Sequence, residues 1–367
     1  MYFIIYSGAV QHYAHLQPLR IDERIQMCYA DGINIPGGEP MKKCRITAFV
    51  LAFSMLLLLT ACADTGTADR KKNRDNTDEI SIEEVNILRD TAEFSLVYLY
   101  TGDKVIPPKP NGAYTYSEAD EGMTYLVLVM DVKNLGEETV EVGDLMEVTL
   151  TLEGQEITAG ARVETDHGTS LDRYSEIAPL VTARVHYLFE IPDNQQPETL
   201  SLRVKAGDRR MMSEISVEEL KNRSRALALG DIITDEQTIE AAVEDVFLTT
   251  KLEPENPGRY YHYFEADSGK TYLVMKLTVK NLDSSELDYD TIAGIKCIYD
   301  GKYEYSGFTV FEEDGGADLS SYTNISSMAP LEENGIYFLV EIPDEAAAGP
   351  LTMELYLAGQ YCHYHVE

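Results

Sequence analysis

The sequence predicts an all-β fold made of two tandem immunoglobulin-like β-sandwiches joined by a short helix. Three observations predict it. A β-rich stretch recurs 147 positions later, each copy contains several short alternating segments, and the chain holds 24 tyrosines but no tryptophan. About seven short strands per copy, bounded by turn residues, are typical of an immunoglobulin-like sandwich. A β-barrel is the alternative architecture for such strands.

The duplication is the clearest signal within the chain. Residues 116–135 and 263–282 are identical at 13 of 20 positions, and both segments end in Val-Lys-Asn-Leu. Two later motifs recur at an offset of 151: Ala-Pro-Leu at residues 178–180 and 329–331, and Glu-Ile-Pro-Asp at residues 190–193 and 341–344. Each copy is long enough to bury its own core. We therefore predict one domain over residues 80–207 and a second over residues 230–367.

Alternation and turn signals predict the strands within each copy. Val148, Leu150 and Leu152 alternate with polar residues, as expected for a strand with one buried face. Gly154 and Gly301 each follow an acidic residue and indicate hairpin turns. The principal predicted strands are residues 94–101, 125–133, 148–152, 185–191 and 200–204, with counterparts at 243–249, 272–280, 295–299, 336–342 and 351–355.

The segment between the copies, residues 208–229, is predicted to be a linker with a short helix. Ser216 followed by Glu219 forms a capping-box pattern, and Gly230 supplies a stop signal. These signals predict a helix over residues 217–229.

The N-terminal region predicts the location of the protein. A basic start at residues 41–45 precedes an apolar run, residues 46–59, that is short for a membrane span and typical of a signal peptide. The residues around the cleavage position resemble a bacterial lipobox, where a peptidase cuts before a lipid-modified cysteine: Leu59, Thr60, Ala61 and Cys62.

This interpretation makes residues 1–40 an upstream start artefact and residues 41–61 a signal peptide. Cys62 would then carry acyl chains such as palmitate, which anchor the protein to the lipid bilayer of the bacterial cell membrane. Residues 62–79 are polar and without periodicity, which predicts a flexible tether. An uncleaved N-terminal anchor is the alternative, and both interpretations place residues 63–367 outside the cytoplasm.

The charge of the chain excludes one class of partner. It contains 63 acidic residues against 30 basic residues, a formal net charge of −33 at pH 7. Such a surface repels nucleic acid and anionic lipid headgroups, so neither is an expected partner.

Sequence motifs for catalysis are absent. The chain contains no Gly-x-Ser-x-Gly elbow, no His-Glu-x-x-His pair, no P-loop and no dinucleotide-binding glycine pattern. We therefore predict that the protein is not an enzyme and requires no cofactor.

Two acidic loops are candidates for binding calcium. Glu164 and Asp166 in the first copy match Glu312 and Asp314 in the second, and a glycine follows each pair. Alternating carboxylates before a glycine can surround Ca²⁺, which takes six to eight oxygen ligands. The alternative is a solvated hairpin loop.

Matching tyrosines follow prolines in the two copies: Tyr114 and Tyr116 in the first, Tyr261 and Tyr263 in the second. A loop stiffened by proline that carries aromatic rings suits a binding face. The same rings can instead pack against the end of the sandwich, which is the interpretation we favour.

Two cysteines lie in the second copy, Cys297 and Cys362. An oxidising compartment permits a disulfide between them. Two buried thiols are the alternative, and the sequence does not choose between them.

The combined pattern resembles a family of Gram-positive surface lipoproteins. The features that carry the resemblance are the lipobox, the polar tether, the Tyr-Leu-Val run ending in Val-Lys-Asn, and Pro-Leu before a Glu-Ile-Pro-Asp strand. The tandem immunoglobulin-like domains of this family have unknown function and are similar in fold to secreted mycobacterial immunoprotective antigens. The resemblance covers residues 80–207 and 230–367 and brings no catalytic residues.

From these features we predict a non-enzymatic cell-surface lipoprotein. Its two domains would serve binding or assembly at the cell envelope, with an envelope protein or a cell-wall component as the partner. The alternative is a ligand- or calcium-binding accessory protein of a transporter or sensor.

Overall fold

The computed structural model describes residues 78–110 and 114–366. The predicted signal peptide, the lipobox, Cys62 and all but the last two residues of the tether lie outside the described residues. No helix in the described part of the chain is long and apolar enough to cross a membrane.

The first sandwich is built almost entirely from strands. Its strands are β1 (Asn86–Leu88), β2 (Ala92–Gly102), β3 (Lys104–Val105), β4 (Ser117–Glu118), β5 (Met123–Asn134), β6 (Val140–Glu141), β7 (Glu147–Leu152), β8 (Gln155–Thr158), β9 (Gly160–Thr165), β10 (Ser170–Asp172), β11 (Glu176–Ile177), β12 (Thr182–Pro192), β13 (Thr199–Ala206) and β14 (Arg209–Ser216). A helical turn α1 (Val142–Leu145) and a 3₁₀ turn (Asp166–Gly168) interrupt them.

The second sandwich repeats this plan. After the short helix α2 (Val217–Lys221), its strands are β15 (Arg225–Ala226), β16 (Ile232–Thr234), β17 (Ile239–Thr249), β18 (Lys251–Leu252), β19 (Phe264–Glu265), β20 (Lys270–Asn281), β21 (Leu287–Asp288), β22 (Ala293–Tyr299), β23 (Tyr303–Glu313), β24 (Asp318–Ser320), β25 (Ser327–Met328), β26 (Glu333–Pro343), β27 (Leu351–Leu357) and β28 (Gln360–Val366). It also contains a 3₁₀ turn (Tyr289–Thr291) and a helical turn α3 (Asp344–Ala347).

The strand order confirms the predicted fold class. In the first sandwich, one sheet runs β1-β2-β5-β12-β9-β10 and the other runs β14-β13-β7-β8. When β2, β5, β7, β9, β12, β13 and β14 are labelled A to G in chain order, the two sheets run A-B-E-D and G-F-C, as in an immunoglobulin sandwich. Both sheets bury alternate side chains, and large apolar residues such as Phe94, Tyr187 and Phe189 fill the space between them.

The two copies differ at one strand. In the first sandwich the strand is interrupted at Ala159. The residues before it, β8, pair with β7 in one sheet, and the residues after it, β9, pair with β12 in the other. In the second sandwich β23 is continuous, pairing with β22 near its start and with β26 farther along. The main strands of that copy therefore belong to one sheet that folds over its own core.

Hydrogen bonds explain why one repeated asparagine was kept. Asn134 is buried, and its side-chain amide donates to the carbonyl oxygens of Glu138 and Ile177, both at 2.8 Å. Asn281 makes the same two bonds in the second copy, to Ser285 at 2.9 Å and to Met328 at 3.0 Å. A buried amide left without these acceptors would be costly, so the Val-Lys-Asn motif is structural.

The predicted linker, residues 208–229, needs correction at its start. Strand β14 pairs with β13 along its full length, so Arg209–Ser216 belongs to the first sandwich. The inward position Ser213 hides the alternation from the sequence, because its hydroxyl exchanges hydrogen bonds with the backbone of Ile80 instead of packing in the core.

The linker helix is also shorter than predicted. The Ser216 side chain accepts a hydrogen bond from the backbone N–H of Glu219, as the capping pattern indicates, but α2 ends at Lys221 rather than at residue 229. The following residues are held by the second sandwich: β15 pairs with the edge strand β28, and Leu227 is buried in its core. Tertiary pairing therefore overrides the local helical preference.

Candidate functional site

A cleft of about 290 Å³ opens on the outer face of the first sandwich. Four of its lining residues carry the argument below, and we call the feature the arginine cleft: Tyr116, Arg162, Arg173 and Tyr174. Arg162 lies on β9, where alternation turns it away from the buried Val163. Tyr116 directly precedes β4, and the other two residues directly follow β10.

The arginine cleft is short of negative charge. Arg162 donates to the carbonyl of Ala161 at 2.8 Å and to the hydroxyl of Ser117 at 3.4 Å. Burial, together with the neighbouring cation of Arg173, lowers the pKa of Arg162. No salt bridge to either arginine forms within the described residues, although the chain holds 63 acidic side chains.

One carboxylate, that of Asp172, also lines the arginine cleft. It accepts hydrogen bonds from the backbone N–H of Tyr174 at 2.9 Å and from the hydroxyl of Ser175 at 3.0 Å. These bonds hold it in the turn after β10, where its charge acts on Arg162 without forming a salt bridge with it.

Apolar side chains occupy the corresponding position of the second sandwich. By strand register, Val310 replaces Arg162 and Phe264 replaces Ser117. Val310 is fully buried, and Phe264 packs against the same apolar cluster. The two copies therefore share a scaffold but differ at this position. It is open and cationic in the first sandwich and filled with apolar side chains in the second.

A second feature on the same face is the contact between the sandwiches, which we call the junction. The hairpin β27–β28 of the second sandwich meets the outer face of β9 and β12. The Tyr356 hydroxyl donates to Glu164 Oε2 at 2.6 Å, and His186 Nε2 lies 2.7 Å from Oε1 of the same carboxylate. Arg184 donates to the Tyr356 hydroxyl at 3.3 Å and to the carbonyl of Gly359.

Aromatic and cationic groups extend the junction on both sides. The rings of Tyr98 and Tyr361 stack with centroids 4.6 Å apart. Lys109 is 8% exposed and donates to the carbonyl of Thr291 at 2.7 Å. Burial lowers the pKa of Lys109 to about 8. Side chains of both copies thus enclose groups that would otherwise be solvated.

The buried carboxylate of Glu164 is kept ionised by its partners. Burial alone raises its pKa, but hydrogen bonds from His186 and Tyr356 and the charge of Arg184 outweigh burial, and the net pKa is lowered. Glu164 therefore acts as the central acceptor of the junction.

The structure does not bring the candidate calcium ligands together. Glu164 is occupied in the junction, and Glu312 accepts from the Tyr337 hydroxyl at 2.8 Å and lies 3.4 Å from the Lys276 ammonium. Asp166 and Asp314 lie exposed in turns. No group of three or more His, Cys, Asp or Glu residues suited to a metal occurs in the described part of the chain.

The candidate tyrosines lie in different surroundings. Tyr116 lines the arginine cleft beneath the ammonium of Lys104, 5.2 Å from its ring centroid, and Tyr114 is half-buried nearby in the sequence. Tyr261 donates to a carboxylate oxygen of Glu253 at 3.1 Å. Tyr263 is 48% exposed. Packing and a binding face both stay open for Tyr261 and Tyr263, whereas Tyr116 belongs to a formed cleft.

Of the two alternatives that the sequence left open for Cys297 and Cys362, the structure shows two buried thiols and no disulfide. Both are free, buried thiols, and burial raises the pKa of each to about 11. Cys297 lies on β22 and Cys362 on β28, with β27 between them. Strands two places apart are separated by roughly 9–10 Å, beyond the Cα separation of about 7 Å that a disulfide spans.

The repeat pattern in the sequence does not indicate Arg162 or the pair Tyr356 and Tyr361, because these residues differ between the two copies. The available signal was a charged residue aligned with a buried valine, Arg162 against Val310.

Comparisons with known proteins add two structural neighbours. No family model and no curated protein matches the chain. A solved uncharacterized β-sandwich protein from Clostridium difficile 630 is 25% identical, with a TM-score of 0.37, over 39% of this chain and 95% of that chain. A conserved hypothetical protein from Bacillus anthracis is 13% identical, with a TM-score of 0.27, over 38% of this chain and 94% of that chain.

Proposed function

We propose that the chain is a non-enzymatic binding protein held at the cell surface by a lipid anchor, and that its arginine cleft receives an anionic group of an envelope ligand. One observation carries this proposal. Arg162 and Arg173 line an open cleft on an acidic protein, and neither arginine forms a salt bridge with a described residue.

The chemistry of the cleft favours a phosphate or a carboxylate attached to a flat apolar group. Guanidinium groups donate to such anions in a planar fork, and a hydrogen bond to a charged group contributes about 1.5–3 kcal/mol. Tyr116 and Tyr174 supply rings beside the cations. A volume of about 290 Å³ lies at the lower end of the range for small-molecule sites, so it suits one end of a larger ligand.

We expect phenyl phosphate to bind the arginine cleft more tightly than inorganic phosphate or phenol. Titration followed by NMR of the arginine Nε–H signals should shift those of Arg162 and Arg173. Arg162→Gln or Arg173→Gln should weaken binding at least about tenfold, because each removes a charged hydrogen bond.

The control is Arg259→Gln, which removes the same charge from the second sandwich, where Arg259 lies over Tyr260. It should leave the affinity unchanged. Equal weakening by the control would show that only overall charge matters, and the binding site would then be wrong.

The location is tested separately by intact-mass measurement of membrane-extracted protein. We expect a chain that begins at Cys62 and carries acyl groups. A mass that begins at Met1 and lacks lipid would overturn the anchored location while leaving the arginine cleft untouched.

A further inference from the structure

Two histidines lie side by side on β28, the last strand of the second sandwich. Cys362 on this strand is part of the core, and Tyr364 and Val366 pack against it. Alternation therefore places His363 and His365 on the outer face. Their ring centroids are 4.9 Å apart. His365 is exposed and His363 is half-buried, so a small ion in solvent can reach both rings.

The sandwich fold does not require histidines at these positions. In the first sandwich, strand register places Met212 and Glu214 at the equivalent positions of β14. A thioether and a carboxylate thus occupy the same outer face in the other copy. The histidine pair is therefore a feature of the second sandwich that its scaffold does not explain.

Hydroxyl groups on both sides orient the two rings. Ser224 directly precedes β15, and its Oγ lies 2.8 Å from Nδ1 of His363. Thr352 lies on β27, and its Oγ1 is 2.9 Å from Nδ1 of His365. A hydroxyl that accepts the Nδ1 proton leaves Nε2 unprotonated, and hydrogen bonds of this kind orient metal-binding imidazoles. Among the described residues, no hydrogen bond engages Nε2 of either ring.

The separation of the rings fits one shared metal ion. With a metal–nitrogen distance of about 2.0–2.1 Å, two imidazoles on one ion have centroids roughly 4.5–5.2 Å apart for angles of about 90–109° at the metal. The observed separation of 4.9 Å lies within this range, and the planes are tilted by 57° rather than stacked. The two rings are therefore already at the spacing that a shared ion requires.

The charges beside the histidines favour a cation. Glu354 lies opposite His363 across β27 and β28. Its carboxylate lies 3.3 Å from the ammonium of Lys296, which also pairs with Glu304 at 3.0 Å. Two carboxylates thus share one ammonium, and the local charge is negative. Because Glu354 is already paired, we assign it no role as a ligand.

We infer that His363 and His365 form an open site for a transition-metal ion, with Cu²⁺ as the strongest binder and water at the remaining positions. Imidazole suits Cu²⁺, Ni²⁺ and Zn²⁺, and the affinity is highest for Cu²⁺. Ca²⁺ and Mg²⁺ take oxygen ligands instead. The site is therefore different in chemistry and in place from the calcium loops that the sequence suggests.

Titration of the full chain with metal ions, followed by NMR of the imidazole signals, tests this site. Substoichiometric Cu²⁺ should broaden the signals of His363 and His365 first, and Ca²⁺ should leave them unchanged. His363→Gln and His365→Gln should each weaken Cu²⁺ binding at the remaining ring at least about tenfold, because one imidazole lacks the second point of attachment.

His262→Gln is the matched control. His262 is an exposed histidine of the same sandwich, and its ring already lies 3.0 Å from a carboxylate oxygen of Asp318. Its removal should leave the broadening at His363 and His365 unchanged. Equal broadening of all exposed histidines, or unchanged Cu²⁺ affinity in both site variants, would overturn the inference.

The two hydroxyls provide a second measurement that keeps both imidazoles. Ser224→Ala and Thr352→Ala should each weaken Cu²⁺ binding about tenfold or more, because the ring loses the partner that orients it. Both variants should unfold at the natural urea midpoint in the absence of metal, since the hydroxyls lie outside the core. Natural Cu²⁺ affinity in both hydroxyl variants would show that the rings bind as independent surface histidines, and the site would be wrong.

Discussion

Replacing Gly294 with alanine is expected to force the two sandwiches apart. A β-carbon at this position would overlap the carbonyl oxygen of Pro108 and lie 3.3 Å from the Cα of Lys109, both in the first sandwich. Backbone atoms cannot rotate away as a side chain can, so one sandwich must move. Overpacking alone costs about 1–3 kcal/mol of unfolding free energy, and loss of the junction contacts adds to it.

The measurement combines urea denaturation with small-angle scattering. We expect a lower denaturation midpoint and a larger radius of gyration for Gly294→Ala. Gly143→Ala is the matched control, because no atom lies within 4 Å of the added β-carbon. If Gly294→Ala left both measurements unchanged, the described contact between the sandwiches would be wrong.

The second large effect is expected at Glu164. Its carboxylate is the acceptor for the Tyr356 hydroxyl and for His186 Nε2, and its side chain is 8% exposed. Glu164→Ala leaves both donors in a buried site without an acceptor. Breaking a buried charged network of this kind destabilises proteins by on the order of 3 kcal/mol.

The same residue gives a pH dependence with a defined sign. The pKa of Glu164 is lowered in the folded protein. Its stabilising contribution is therefore fully present above the ordinary glutamate pKa of about 4.3 and is lost as the pH falls through the lower folded value. The difference in unfolding free energy between the natural chain and Glu164→Gln should stay constant from neutral pH to about pH 5 and shrink below about pH 4.

Glu156→Gln provides the comparison for this experiment. Glu156 pairs with Arg203 on the surface, and its side chain is 57% exposed, so its removal should cost less than about 1 kcal/mol. A Glu164→Gln difference that stayed the same down to pH 3 would show that the ionised carboxylate is not what holds the junction.

The sequence predicts the sandwiches well because their determinants are local. Alternation along residues 148–152 follows from one buried face, and glycines such as Gly154 mark turns. The spatial order of the strands is harder to infer, because the order along the chain does not give it. Cys297 cannot reach Cys362, for example, because β27 lies between their strands. Strand β14 was missed because Ser213 occupies an inward position.

The arginine cleft and the junction were unpredictable for a different reason. Both depend on side chains that distinguish the copies, and their meaning appears only when strand register places them. Nothing in the sequence distinguishes Arg162 from other surface cations before strand register aligns it with the buried Val310. Nothing distinguishes Gly294 from other strand glycines before the structure places Pro108 against it.

Because of the strand interruption at Ala159, we expect the two sandwiches to differ in local unfolding. In the first sandwich the hydrogen-bond ladders of the two sheets end at the break, so one layer can lose its pairing while the other is retained. In the second, β23 belongs to both layers, and parting them requires breaking its pairs with β22 or with β26. Cooperative units of local unfolding follow such backbone connections. We therefore expect native-state hydrogen exchange to show β8 and β9 opening independently, whereas the residues of β23 should exchange together.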